Sequence, residues 1–196
     1  LCAGINHMAF YQKFEKILKI TNENQLSEED IFKITNIKQV VMTNNPFDKE
    51  ERKILNLNKD NKYLTSIRID DLFIEPKNKK DFLTSYYLSN HEKIKMAINE
   101  IKKILKNNKP SYFSLSSENL DEFENDLFFN NFLPLLRQSK TPMMLLIGVK
   151  REVNKLYKDA GDGIGTLNLN NLEKILSKFP NNNFLVSCLD YRDQFR

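Results

Sequence analysis

The chain has 196 residues, enough for one ordinary domain with its own core. It is 40% hydrophobic and 29% charged, with the apolar residues gathered in bursts, which excludes a disordered chain. The net charge of +4, from 30 Lys and Arg against 26 Asp and Glu, is too mild and too evenly interleaved to imply a nucleic-acid partner.

Taken in order, residues 8–20 place Phe10, Phe14, Ile17 and Leu18 at helical spacing. Ser27 is the expected cap of a second helix, with Asp30 three residues on as the acid of a capping box, and this helix ends near Asn36. Gln39 to Thr43 is a short β-rich run that Asn44, Asn45 and Pro46 stop. A polar, helix-compatible stretch covers Asp48 to Leu55. Lys62 to Ile69 reads as the second strand, ended by Asp70 and Asp71.

Residues 80–106 predict a long helix. Its stripe is Ile94, Ala97, Ile98, Ile101, Ile104 and Leu105, with Lys and Glu on the opposite face. Tyr112 to Ser116 is a third strand. Asp121 to Arg137 is helical, with Pro134 implying a kink or break. Met143 to Val149 is apolar throughout, as for a strand covered on both faces, and is far too short to span a membrane. A charged helical turn (Lys150 to Tyr157) and a glycine-rich loop (Ala160 to Gly165) come next. A helix over Asn170 to Phe179 and a strand over Phe184 to Leu189 complete the pattern.

Five strands separated by helical matter favour a mostly parallel sheet with right-handed crossovers. A doubly wound sheet and a (β/α) barrel both fit this order. Either places function at the C-terminal ends of the strands. The expected division is an N-terminal helical segment, 1–36, and an α/β unit, 37–196. The chain starts at Leu1 without an initiator Met and ends at Arg196 just after an apolar run. The expectation drawn from this is an interior segment of a longer chain, with a trimmed domain as the alternative.

Few residues carry chemical signals. Arg68 interrupts an apolar strand and is followed by Asp70. A charge there requires a partner, either a ligand carboxylate held by two parallel hydrogen bonds or a neighbouring acid in a structural ion pair. Asn44, Asn45 and Asp48 suit turn chemistry after the first strand. Gly161 to Gly165 matches neither a dinucleotide fingerprint nor a P-loop, though its glycines permit close backbone approach. His7 and His91 are the only histidines, too few and too scattered for a closed metal site. Cys2 and Cys188 build no disulfide framework, and Cys188, in an apolar run, is expected to be a buried free thiol in a reducing, cytoplasmic setting.

Three stretches in order, VVMTNNPFDKEER at 40–52, YLTSIRIDDLF at 63–73 and the long segment from Met143 to Gln194, resemble the uronate isomerases of the amidohydrolase superfamily, in their divergent bacterial branch. The resemblance implies part of a (β/α)8 TIM barrel, about five βα units. It implies aldose–ketose isomerisation of hexuronic acids, of the glucuronate to fructuronate type, with a small-molecule uronate as substrate. Members carry an HxH pair on the first barrel strand and an Asp on the last, which bind a divalent metal, usually zinc. Neither is present here, so this segment is expected to bind no metal, to supply no catalytic group and to be inactive alone.

Arg68 aligns with a family arginine of the substrate site, in a Leu-Arg-Leu-Asp pattern that reads Ile-Arg-Ile-Asp here. Typical members have Ala-x-Arg after the strand that Leu145 to Val149 matches. Lys150 is read as a point charge replacing that guanidinium, and as the second substrate-binding residue. Asn44, Asp48, Asp70, Gly161 and Asp162 are the expected supporting positions. A non-catalytic sugar-acid-binding or purely structural α/β domain is the alternative. A homo-oligomer is the expected assembly, with no nucleic-acid or membrane partner.

Overall fold

The computed structural model describes residues 27–57, 61–70, 91–120, 127–151 and 153–190. The chain divides into two compact units, Leu1–Val40 and Val41–Arg196. The expected helix at 8–20 and the early parts of those at 80–106 and 121–137 lie outside the described residues.

In the first unit, α1 (Glu28–Thr35) begins on a complete capping box, as its sequence requires. The Asp30 N–H donates to Ser27 Oγ, and the Ser27 N–H donates back to Asp30 Oδ2 at 3.1 Å. The helix ends at Asn36, whose φ of 54° is a left-handed conformation that asparagine accepts.

The second unit is a parallel sheet flanked by helices. Its strands are β1 (Val40–Asn44), β2 (Tyr63–Arg68), β3 (Tyr112–Ser117), β4 (Met143–Ile147) and β7 (Phe184–Cys188). They lie side by side in chain order. The pairs β2–β3, β3–β4 and β4–β7 are all parallel. A doubly wound sheet reverses direction at a switch point, and this order does not. The arrangement is that of a partial α/β barrel.

Between the strands run α2 (Lys49–Leu57), α3 (His91–Asn108), α4 (Leu133–Ser139) and α5 (Leu169–Lys178). Alternation along each strand sends Ile67, Phe113, Leu115, Met143, Leu145 and Ile147 to one face. All are buried in a single core with Ala97, Ile98, Ile101 and Ile104 of α3 and Leu133 and Leu136 of α4. Phe113 meets Phe132 edge to face at 5.3 Å. The other face differs. Arg68, Ser114, Ser116, Met144, Leu146 and Ser187 are half-buried, and Leu185 is 49% exposed.

The break expected at Pro134 takes the form of a change in helix type. A π-helical stretch (Leu127–Phe132) passes into α4, whose first turn holds the proline, where its missing N–H leaves no hydrogen bond unmade. The apolar run at 143–149 is not one strand, because Gly148 turns the chain with a φ of 88°. Val149 and Lys150 then form β5, antiparallel to β6 (Gly163–Ile164). Lys150 therefore stands on a strand, not in a helical turn, and the helical residues nearby are a 3-10 segment, Lys155–Gly161. Cys188, expected to be buried, is half-buried on β7. Among the described residues no helix is long and apolar enough to cross a membrane.

Candidate functional site

The C-terminal ends of β2 and β3 and the loop beyond β4 converge on one carboxylate. Asp70, two residues past β2, has a side chain only 8% exposed. Its Oδ1 accepts the Ser116 N–H of β3 at 2.6 Å. Its Oδ2 faces two guanidinium groups, with Arg151 Nη2 at 3.1 Å and Arg68 Nε at 3.7 Å. Arg151 extends the cluster, since its Nη1 donates to Asp162 Oδ2 at 2.6 Å. Two arginines and two aspartates thus meet from three separate parts of the chain, each charge answered by an opposite one.

The two guanidinium groups are not equivalent. Arg151 uses both terminal nitrogens on protein carboxylates, so it works as a clasp between the end of β2 and the glycine-rich loop. Arg68 approaches Asp70 through Nε, at 3.7 Å. Its terminal amino groups form no hydrogen bond or ion pair among the described residues, and its side chain is 39% exposed. Alternation explains its direction. Ile67 and Ile69 on either side are fully buried, so Arg68 stands on the half-open face. A fork in that state can take a planar anion through two parallel hydrogen bonds.

The glycine-rich loop is held by close backbone contacts. The Asn154 N–H donates to the Gly161 carbonyl at 2.9 Å, and a Cβ on Gly161 would collide with the Asn154 backbone. The Gly165 N–H donates to the Gly148 carbonyl at 2.7 Å, and Gly148 in turn donates to the Ser117 carbonyl at 2.9 Å. Gly161 therefore fixes the loop in which Asp162 lies.

The other sequence-derived positions fall elsewhere. Lys150 is exposed on β5 and has no ion pair among the described residues. Asp48 caps α2, its Oδ1 accepting the Glu50 and Glu51 N–H groups at 2.9 and 3.0 Å. Asn45 closes the turn before it by accepting the Phe47 N–H at 3.0 Å. Asn44 is buried at the end of β1. Arg151 is one of the strand-end residues that the sequence singles out, although it carries no binding role there. Its signal was Gly148, a residue able to end the apolar run early and redirect the chain beyond it.

Metal chemistry finds no donor set in this cluster. Among the described residues, no group of three or more His, Cys, Asp or Glu is placed to hold an ion. The Asp70 and Asp162 carboxylates already face guanidinium groups. These residues do not fit a zinc site.

No protein-family model and no curated protein matches the chain. Solved structures do match its fold. A uronate isomerase from Bacillus halodurans C-125 superposes with a TM-score of 0.73 at 26% identity, over 87% of this chain and 44% of that one. A uronate isomerase from Thermotoga maritima superposes with a TM-score of 0.60 at 14% identity, over 85% of this chain and 47% of that one. The chain has a uronate-isomerase-like fold over most of its length, at low identity, and spans less than half the length of either structure.

Proposed function

We propose that this chain forms part of a (β/α)8 barrel of the amidohydrolase type and holds the carboxylate of a hexuronic acid. The reaction served is aldose–ketose isomerisation of the glucuronate to fructuronate kind. The observation that carries the reading is Arg68, with its terminal amino groups unengaged among the described residues, on the half-open face of a sheet whose strands follow barrel order. Likeness to two uronate isomerases supports the substrate class.

Isomerisation moves a proton between adjacent carbons through an enediolate, which needs a general base and stabilisation of a developing oxyanion. Arg68 contributes binding and orientation, fixing the sugar acid at the end remote from the reacting carbons. Asp70 keeps its own contact with Arg68 while the Arg151 clasp and the Ser116 amide offset its charge. The Lys150 ammonium is a peripheral attraction for the incoming anion. The proton-transfer groups and any zinc ligands belong to other parts of the full-length enzyme. A cytoplasmic homo-oligomer is the proposed assembly.

The test compares D-glucuronate with D-glucose by saturation-transfer NMR on the purified chain, together with a turnover assay in added zinc. Transfer to glucuronate and none to glucose, without turnover, is the expected result. Equal transfer to both sugars would remove the carboxylate grip. Glucuronate conversion above a no-enzyme control would show that the chain carries catalytic groups this reading denies it.

A further inference from the structure

We propose that Ser114 is a second ligand-binding residue, whose hydroxyl donates a hydrogen bond to the carboxylate held by Arg68. The inference rests on the sugar-acid reading above and extends it to a neighbouring strand.

The β2–β3 register sets Arg68 directly opposite Ser114, and the β3–β4 register sets Ser114 opposite Met144. Residues paired in this way point to the same side of the sheet, on strands about 4.8 Å apart. Phe113 and Leu115, on either side of Ser114, are buried in the core. The serine therefore stands on the half-open face beside Arg68.

Its hydroxyl is exceptional among those nearby. Ser66 Oγ donates to Thr43 Oγ1 at 3.0 Å, and Ser117 Oγ accepts the Leu120 N–H at 3.2 Å. Ser114 Oγ is shielded from solvent and has no hydrogen-bond partner among the described residues. A shielded hydroxyl without a partner costs free energy that an alanine at the same position would not. Next to a guanidinium with unengaged amino groups, a planar anion satisfies both at once. The fork takes one edge of the carboxylate and the serine O–H approaches from the adjacent strand. Met144, next in the row, offers an apolar surface to the C–H groups of a sugar.

The experiment is calorimetric titration of D-glucuronate into the intact protein and its Ser114→Ala, Ser114→Cys and Arg68→Met variants, with thermal melts alongside. Ser114→Ala is expected to weaken binding about tenfold, the scale of a lost hydrogen bond to a charged group. Its melting temperature should hold or rise, because the deleted hydroxyl has no partner among the described residues. Ser114→Cys keeps the side-chain shape with a weak donor and should lose affinity similarly. Full affinity in both serine variants, while Arg68→Met abolishes binding, would overturn the role of Ser114 and leave the sugar-acid reading standing. A fall in melting temperature at unchanged affinity would do the same, by making the hydroxyl structural. Absence of binding by the unaltered protein would overturn both.

Discussion

Replacing Asp70 should cost more stability than replacing Arg68, although the two residues face each other. The Arg68–Asp70 separation is 3.7 Å through Nε, and the arginine side chain is 39% exposed. A pair so long and so well solvated contributes about 0–1 kcal/mol after screening. Arg68→Met should therefore cost at most about 1 kcal/mol. Asp70 is a different matter, with 8% of its side chain exposed. Asp70→Ala leaves the Ser116 N–H without its 2.6 Å acceptor, a loss of about 1–3 kcal/mol. It also removes one of the two carboxylates on Arg151, worth a further fraction of about 1 kcal/mol because that arginine is 37% exposed. A total of about 1–4 kcal/mol corresponds to a drop in Tm of about 2–16 °C for a chain of this size. Urea unfolding of both variants at matched slopes measures the difference directly. If Arg68→Met costs as much as Asp70→Ala, Arg68 is a structural ion-pair partner and the reasoning fails.

The Ser27 side chain and then the Ser27 backbone N–H hold the Asp30 carboxyl below its ordinary value of 3.8. A depressed carboxylate pKa adds stability above the unfolded value, and that stability is lost as pH falls through the folded one. An NMR titration should show Asp30 protonating below 3.8 and α1 fraying as it does, whereas Ser27→Ala should return the midpoint toward 3.8. Gly161→Ala forces a Cβ into the Asn154 backbone and should displace the loop that carries Asp162. Faster amide exchange at Asn154 and Gly165 would report this, and unchanged exchange would contradict it. Among the described residues β1 and β7 each pair on one side only, and open strands invite association. Light scattering should therefore show mass rising with concentration, and a constant monomer mass would oppose that expectation.

Much of the fold was legible because its signals are local. The Ile98, Ile101 and Ile104 spacing marks α3, and the strand runs recur with helical matter between them. Ser27 and Asp30 announced the cap of α1 three residues apart, and Asp48 behaves as turn and cap chemistry suggests. Alternation around Ile67 and Ile69 was enough to aim Arg68. What escaped depends on distant partners. Strand order comes from how the crossovers pack, which periodicity does not encode. The break at Gly148 relies on contacts with Ser117 and Gly165, so MMLLIGV looked continuous. The bond from Arg151 to Asp70 joins residues 81 positions apart, beyond what local pattern encodes.

The most direct test of the account is calorimetric titration of D-glucuronate into the intact protein, beside Arg68→Met and Arg68→Lys. Measurable binding is expected, with a loss of at least about tenfold in Arg68→Met and little recovery in Arg68→Lys, because an ammonium lacks the fork that grips a carboxylate. Melting temperatures of the three should stay within a few degrees, about the effect of 1 kcal/mol. Unchanged affinity in Arg68→Met together with a large fall in melting temperature would contradict the account.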